Sequence, residues 1–100
     1  MLKHTVLWKL KDNALSNTKT ENAQILKEKL LDLKDLINEI RQIEVGINVI
    51  DTPSSYDFIL NVIFDNKEDL NSYIINEHHQ KVASFVKEVT NDRVCIDYEI

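Results

Sequence analysis

Apolar residues recur with two different periods along this chain, and the order of those periods limits its fold more than any other feature. Residues 2–11 alternate with a period of two, which is typical of a β-strand. The side chains predicted to share one face of this strand are Leu2, His4, Val6, Trp8 and Leu10. Spacings of three and four follow and predict an amphipathic helix. Its buried stripe comprises Ala23, Leu26, Leu30, Leu33 and Ile37.

The boundaries of these elements have their own signals. Residues 18–21 have the pattern of a capping box, so the long helix is expected to begin there. Residues 41–50 and 56–64 alternate again and predict two strands, which the turn cluster at 51–55 separates. Gly46 lies inside the first of them, which suggests a bulge or a close approach of the backbone.

The last third of the chain repeats the plan of the first. Asn66 can cap a short helix, and a second helical stripe runs from Val82 to Val89 before a final alternating strand. The order strand, helix, strand, strand, helix, strand predicts an α+β, ferredoxin-like βαββαβ fold. We therefore expect one domain over residues 1–100, with a four-stranded antiparallel sheet and its helices on one face.

Composition narrows the possible partners. A formal net charge of -5 argues against nucleic-acid binding, which needs a basic face. No apolar run approaches the roughly 20 residues of a membrane span, and no leader precedes the first strand, so we expect a cytoplasmic protein. The single cysteine, Cys95, excludes an intrachain disulfide and is expected to be a small buried side chain of the last strand.

The second face of the sheet is predicted to be apolar as well. The helices cover the face that carries Val6, Val49, Phe58 and Val62, while Leu7, Ile50, Ile59 and Ile63 point the other way. Leaving such side chains exposed costs on the order of 1.5–3 kcal/mol each relative to burial. We therefore predict a homodimer with two sheets packed face to face. The alternative is a monomer in which polar residues interrupt the patch, namely Lys9, Asn48, Asp57 and Asn61.

Several segments of the chain are similar to those of a known family. They are residues 3–12, 44–48, 56–58, 64–70, 79–82 and 92–98. On these segments the chain resembles the stress-responsive A/B barrel (Dabb) proteins, which are dimeric α/β barrels. The resemblance spans nearly the whole chain and implies the same fold and dimer.

The resemblance also implies a site between the sheet and the helices. A plant polyketide cyclase of this family uses a tyrosine of the short helix and a histidine that begins the next helix, and a histidine of the first strand lies in the same pocket. The matching positions are Tyr73, His79 and His4. A neutral histidine suits a general base, and a tyrosine hydroxyl suits an oxyanion donor. The residues expected to contact a ligand are His4, Val6, Trp8, Leu26, Leu30, Tyr73, His79 and Phe85.

Two functions remain open at this point. One is a binding protein that holds an apolar small molecule without turnover, with a role in stress. The other is an enzyme of the polyketide cyclase or cofactor-free monooxygenase type. The helical stripe favours His78 over His79 as the inward residue, whereas the family register favours His79. No cofactor loop or zinc spacing occurs, and only weak Mg²⁺ binding through Asp97 or Glu99 stays open.

Overall fold

The computed structural model describes all residues 1–100 and contains six strands and three helices. In chain order they are β1 (Leu2–Leu10), β2 (Asn13–Ala14), β3 (Asn17–Thr18), α1 (Lys19–Leu36), β4 (Gln42–Ile47), β5 (Phe58–Phe64), α2 (Lys67–Ile75), α3 (Glu77–Val89) and β6 (Thr90–Glu99). Strands β4, β5, β1 and β6 form, in that order, one antiparallel sheet, while β2 and β3 form a separate hairpin. The predicted ferredoxin-like α+β fold is confirmed.

The helices cover one side of this sheet, which we call the inner face. Every residue of the predicted stripe of α1 is buried there, with Leu26 fully inaccessible and Leu33 only 1% exposed. The core cluster consists of Val6, Trp8, Leu10, Ala23, Leu26, Leu30, Leu33, Ile37, Ile40, Phe58, Leu60, Val62, Phe64, Tyr73 and Val82. The alternation read from residues 2–11 therefore identifies the core-facing side of β1 correctly.

Side-chain caps set where the helices begin. The Thr18 hydroxyl accepts from the Glu21 amide, and the Glu21 carboxylate accepts from the Thr18 amide, so the predicted capping box is present. The Asn66 side chain caps α2 by accepting from the Asp69 amide. Asn76 ends α2 and caps α3 by accepting from the His78 amide, so the chain turns sharply between the two helices.

The hairpin of β2 and β3 was not predicted. Its turn residues, Leu15 and Ser16, have φ angles of 51° and 63°, a left-handed conformation that neither residue type favours. The fully buried Asn22 of α1 holds the turn in place, because its side-chain amide donates to the Ala14 carbonyl at 3.0 Å. Tertiary contacts therefore impose a turn that the local sequence does not signal.

Strand β4 is shorter than the predicted 41–50. It ends at Ile47, and the Asn48 side-chain amide then donates to the Ile50 carbonyl, which turns the chain out of the sheet. Val49 and Ile50 are consequently 91% and 70% exposed, and their assignment to sheet faces was wrong. Gly46 marks a close approach and not a bulge, since the register with β5 is continuous and an added Cβ would lie 3.0 Å from Ile59 Cγ2.

The other side of the sheet, the outer face, carries no helix. Leu7, Ile59 and Ile63 lie half-buried on it. The register of β1 with β6 adds Val94, Ile96 and Tyr98, which are exposed. Cys95 is also exposed, contrary to expectation, because it lies on the inner side of an edge strand that the helices leave open. No helix has the combination of length and apolar composition that crossing a bilayer requires.

The strained turn gives a test of the fold. Ser16→Gly should raise the free energy of unfolding by about 1 kcal/mol, because glycine adopts a positive φ without steric conflict. Urea denaturation of the variant and the wild type measures this difference. Ser54→Gly, in an exposed loop without a positive φ, is the matched control and should not stabilise the protein. Equal effects of the two substitutions would contradict the turn conformation.

Candidate active site

A cavity of about 190 Å³ lies between the inner face and the helices. Three side chains of strand β1 line this cavity. Helix α3 lines it with one face, through residues spaced three and four apart. The lining residues are His4, Val6, Trp8, Leu30, Leu60, Tyr73, His79, Val82, Ala83, Val86, Lys87 and Arg93. The wall is mainly apolar, so its few polar groups define the chemistry available there.

His4 is held by a carboxylate from the last strand. It lies directly opposite Asp97 in the register of β1 with β6, and its Nδ1 is 2.5 Å from Asp97 Oδ1. An ionised carboxylate only accepts, so Nδ1 carries a proton, and in the neutral imidazole Nε2 is then the nitrogen with the free lone pair. The His4 residue is 7% exposed. Asp97 thus fixes the orientation of the imidazole and the tautomer of its neutral form, as an aspartate does for a general-base histidine.

Asp97 was not recognised from the sequence as the partner of His4. The first and last strands of a ferredoxin-like sheet are neighbours, so the fold alone assigns both residues to this strand pair. Only the register shows that they lie opposite each other. The carboxylate left open as a weak Mg²⁺ ligand is therefore engaged by an imidazole.

His79 lies in the first turn of α3 and lines the cavity, while His78 does not. Its Nδ1 is 3.0 Å from the Ile74 carbonyl oxygen, which can only accept, so Nε2 is again the unprotonated nitrogen. Burial lowers the pKa of His79, and the nearby His4 and Arg93 lower it further, against the raising effect of the Ile74 carbonyl. His79 is therefore neutral at pH 7.

Tyr73 lies between the two histidines. Its ring centroid is 4.4 Å from that of His79 and 6.3 Å from that of His4, and Phe64 packs against it at 5.1 Å. Burial raises the pKa of the Tyr73 hydroxyl well above its ordinary value, so the hydroxyl stays protonated. No other residue of the chain forms a hydrogen bond with this hydroxyl. It can therefore donate to a ligand but cannot act as a base at neutral pH.

The structure brings six of the eight expected ligand contacts to the cavity and leaves two away from it. Leu26 is fully buried in the core, and Phe85 is half-buried beneath the ammonium group of Lys29, 5.2 Å from its ring centroid. Phe85 lies off the face of α3 that His79 and Val86 share, since one residue rotates the helix by about 100°. Arg93 and Lys87 were not predicted to line the cavity. Arg93 lies on the edge strand β6 and Lys87 on α3, and whether they border one cavity depends on how that strand and helix pack together.

Comparison with known proteins identifies relatives over nearly the whole chain. The family described as Stress responsive A/B Barrel Domain matches residues 2–100. An uncharacterized protein of Streptomyces coelicolor is 30% identical over 99 residues, which cover 99% of each protein.

Solved structures share the fold. A dimeric protein of unknown function with a ferredoxin-like fold from Bacteroides fragilis is 32% identical and has a TM-score of 0.86, covering 99% of this chain and 95% of that one. A hydroxynitrile lyase from Passiflora edulis has a TM-score of 0.82 at 14% identity, covering 99% of this chain and 92% of that one. At this identity the second likeness concerns the fold alone.

The lowered pKa of His79 predicts a loss of stability in acid. Unfolding restores the pKa of this imidazole to 6.5, so the unfolded chain takes up the proton first and the free energy of unfolding falls as the pH drops below that value. The loss levels off below the folded-state pKa, where both states are protonated. In urea denaturation at about pH 7.5 and about pH 5, His79→Gln should lose less stability than the wild type.

His78→Gln is the control, because His78 lies outside the cavity. It should keep the wild-type difference between the two pH values. If His79→Gln and His78→Gln behave alike, the burial of His79 in the folded state is contradicted.

Proposed function

Because the chain belongs to the stress responsive A/B barrel family, as the resemblance predicted, we propose that it is an enzyme that removes a proton from a small molecule bound in the cavity. The observation that carries the proposal is the pairing of His4 Nδ1 with Asp97 at the cavity wall. A base oriented in this way supports proton transfer, which typically contributes about 10²–10⁴-fold to a rate.

The neighbouring groups support a division of roles. His4, oriented by Asp97, is the base that takes a proton next to a carbonyl or from a hydroxyl. The oxygen that becomes negative is stabilised by the Tyr73 hydroxyl, which stays protonated. His79 is neutral and borders the same cavity, so it can accept or relay the proton. This chemistry needs no group beyond the chain's own side chains.

The size and walls of the cavity limit the substrate. A volume of about 190 Å³ is below the roughly 300 Å³ of a site for a drug-sized ligand. Branched aliphatic side chains from Val6, Leu30 and Val86 form much of the wall, where larger pockets would need smaller residues. We expect a substrate of few atoms with an apolar body. That a hydroxynitrile lyase shares the fold supports an enzyme on this scaffold.

Binding without turnover is the second candidate. The observation that favours it is the indole N–H of Trp8, which is buried at the cavity without a partner. Such a donor serves to bind a ligand and has no part in proton abstraction. The two candidates separate on turnover by the wild type. The enzyme catalyses a proton transfer that Asp97→Asn slows, whereas the binding protein holds its ligand and catalyses none. A stress-associated role and a cytoplasmic location stay predictions.

We propose further that two copies pair through the outer face. No helix packs on this face, which carries six apolar side chains, namely Leu7, Ile59, Ile63, Val94, Ile96 and Tyr98. Beside Gly46 this face has a groove of about 290 Å³, which an apolar side chain of a second copy can fill. The Bacteroides fragilis relative is described as dimeric, which supports a homodimer. Because the cavity lies on the inner face, each protomer keeps its own site.

Proton abstraction can be measured without knowing the natural substrate. Deuterium exchange into the positions next to the carbonyl of 2-pentanone and 5-oxohexanoate, and cleavage of acetone cyanohydrin to acetone and hydrogen cyanide, are followed by NMR in D₂O. At least one of these reactions should be faster with the protein than without it. His4→Gln and Asp97→Asn should each lower the catalysed rate by about 100-fold or more, because the base is lost or misoriented. His78→Gln is the control and should keep the wild-type rate. The enzyme is contradicted if the protein accelerates neither exchange into the two ketones nor cleavage of the cyanohydrin.

The dimer is tested by one charge on the outer face. Ile96→Arg should give a monomer of about 11.7 kDa in sedimentation equilibrium, where the wild type gives twice that mass. Ile75→Arg is the matched control, because Ile75 is 77% exposed on α2 and lies away from the outer face. It should remain a dimer. The face-to-face pairing is contradicted if the wild type sediments as a monomer at micromolar concentration.

A further inference from the structure

We infer that the compound bound in this cavity is a small organic carboxylate, and that Trp8 Nε1 and the Arg93 guanidinium bind its anionic end. The inference rests on the proposed function, because it names the chemical class of the molecule that His4 would deprotonate. Three independent features of the cavity support it.

The first feature is the indole nitrogen of Trp8. Among the side-chain nitrogens and oxygens that have no accessible surface, it alone lacks a hydrogen-bond partner, and the Trp8 residue is only 5% exposed. Buried polar groups are almost always paired, so an unpaired one needs an explanation. An indole N–H can only donate. Trp8 lines the cavity, so in this inference the missing partner is an acceptor on the bound molecule.

The second feature is the cation opposite this donor. Arg93 faces Trp8 in the register of β1 with β6, so both side chains rise from the same end of the inner face. Arg93 forms no ion pair, because no carboxylate lies within 4.0 Å of its guanidinium. The only other arginine of the chain, Arg41, does form one. The charge of Arg93 lowers the pKa of both Tyr73 and His79, which places it toward the cavity.

The third feature is the charge balance of the wall. The chain has 17 acidic and 12 basic residues, yet no aspartate or glutamate lines the cavity, while Lys87 and Arg93 do. Although the protein is acidic overall, the only lining residues that carry a permanent charge are these two cations. A guanidinium pairs with a planar carboxylate through two parallel hydrogen bonds, which is the geometry it favours most. An anion is therefore the ligand that this wall complements.

The placement of these groups also orients the ligand. Trp8 and Arg93 lie four residues along their strands from His4 and Asp97, which is about 13 Å between backbone positions. Apolar Val6 lies between the two ends on β1. A carboxylate bound at the Trp8 end therefore directs the remainder of a short chain toward His4. The substrate class that fits is an oxo acid whose carbonyl is several carbons away from its carboxylate.

The test compares 5-oxohexanoate with its neutral amide, 5-oxohexanamide, which has nearly the same shape. Titration calorimetry on the dimer or monomer as purified should show the carboxylate binding at least about tenfold more tightly than the amide. Arg93→Gln should reduce this preference to about one. Arg41→Gln is the matched control, because Arg41 pairs with Asp65 outside the cavity, and it should keep the preference.

Trp8→Phe keeps most of the side-chain bulk and removes the donor. It should weaken binding of both compounds about tenfold and leave the preference for the carboxylate in place. The inference is overturned if the two compounds bind equally to the wild type, if Arg93→Gln keeps the preference, or if the carboxylate does not bind below about 10 mM.

The same experiment separates this inference from the proposed function. If the carboxylate is preferred through Arg93 but no compound shows catalysed exchange, the ligand class holds and the enzyme is wrong. If exchange depends on His4 and Asp97 while carboxylate and amide bind equally, the enzyme holds and the ligand class is wrong.

Discussion

Both ends of the chain lie side by side as antiparallel strands, and this pairing of β1 with β6 creates the site. It sets His4 opposite Asp97 and Trp8 opposite Arg93, so one register places the proposed base beside its carboxylate and the two proposed ligand donors four residues away. A slip by one residue would turn every side chain of β6 to the other face. Asp97 would then lie on the outer face, and His4 would lose the acceptor that fixes its tautomer. The proposed chemistry thus depends on the backbone register that brings His4 and Asp97 together.

The two faces of the sheet have separate tasks. The inner face carries the core, but the helices leave its edge at β6 open, and the cavity forms where α3 and that edge meet. The outer face carries a group of apolar side chains that no helix covers, which suits pairing with a second copy. Because β6 contributes Arg93 and Asp97 to one face and Ile96 to the other, dimer formation would also steady the strand that orients the base. The proposed assembly and the proposed chemistry therefore share one edge strand, although they use opposite sides of it.

The fold was predictable because its signals are periodic and local. Alternation in residues 2–11, the capping box at Thr18 and the stripe of α1 each depend on neighbours in sequence, and the structure confirms all three. The end of β4 was not predictable, because the Asn48 side chain turns the backbone before Val49. The exposure of Cys95 depends on how far the helices reach across the sheet, which no local pattern records. The Leu15–Ser16 turn is fixed from a distance by Asn22.

The site was predictable only in part, for the same reason. Resemblance and periodicity pointed to His4, Tyr73 and His79, and the structure places these three side chains around one cavity. Their roles as catalytic residues stay predictions. Asp97 and Arg93 became visible only once β1 and β6 were paired, since their positions are meaningful by register and not by motif. The unpaired indole N–H of Trp8 is a property of packing, and no sequence pattern distinguishes it from an ordinary core tryptophan.

The state of the His4 ring tests the account most directly. Nitrogen-15 NMR of the imidazoles, with the His4 signals assigned by their absence in His4→Gln, reports which nitrogen carries the proton. The structure predicts a proton on Nδ1 at neutral pH, with its N–H resonance shifted downfield by the carboxylate of Asp97 and lost or moved in Asp97→Asn. A proton on Nε2, or a mixture of tautomers that Asp97→Asn leaves unchanged, would contradict the pairing from which the proposed chemistry follows.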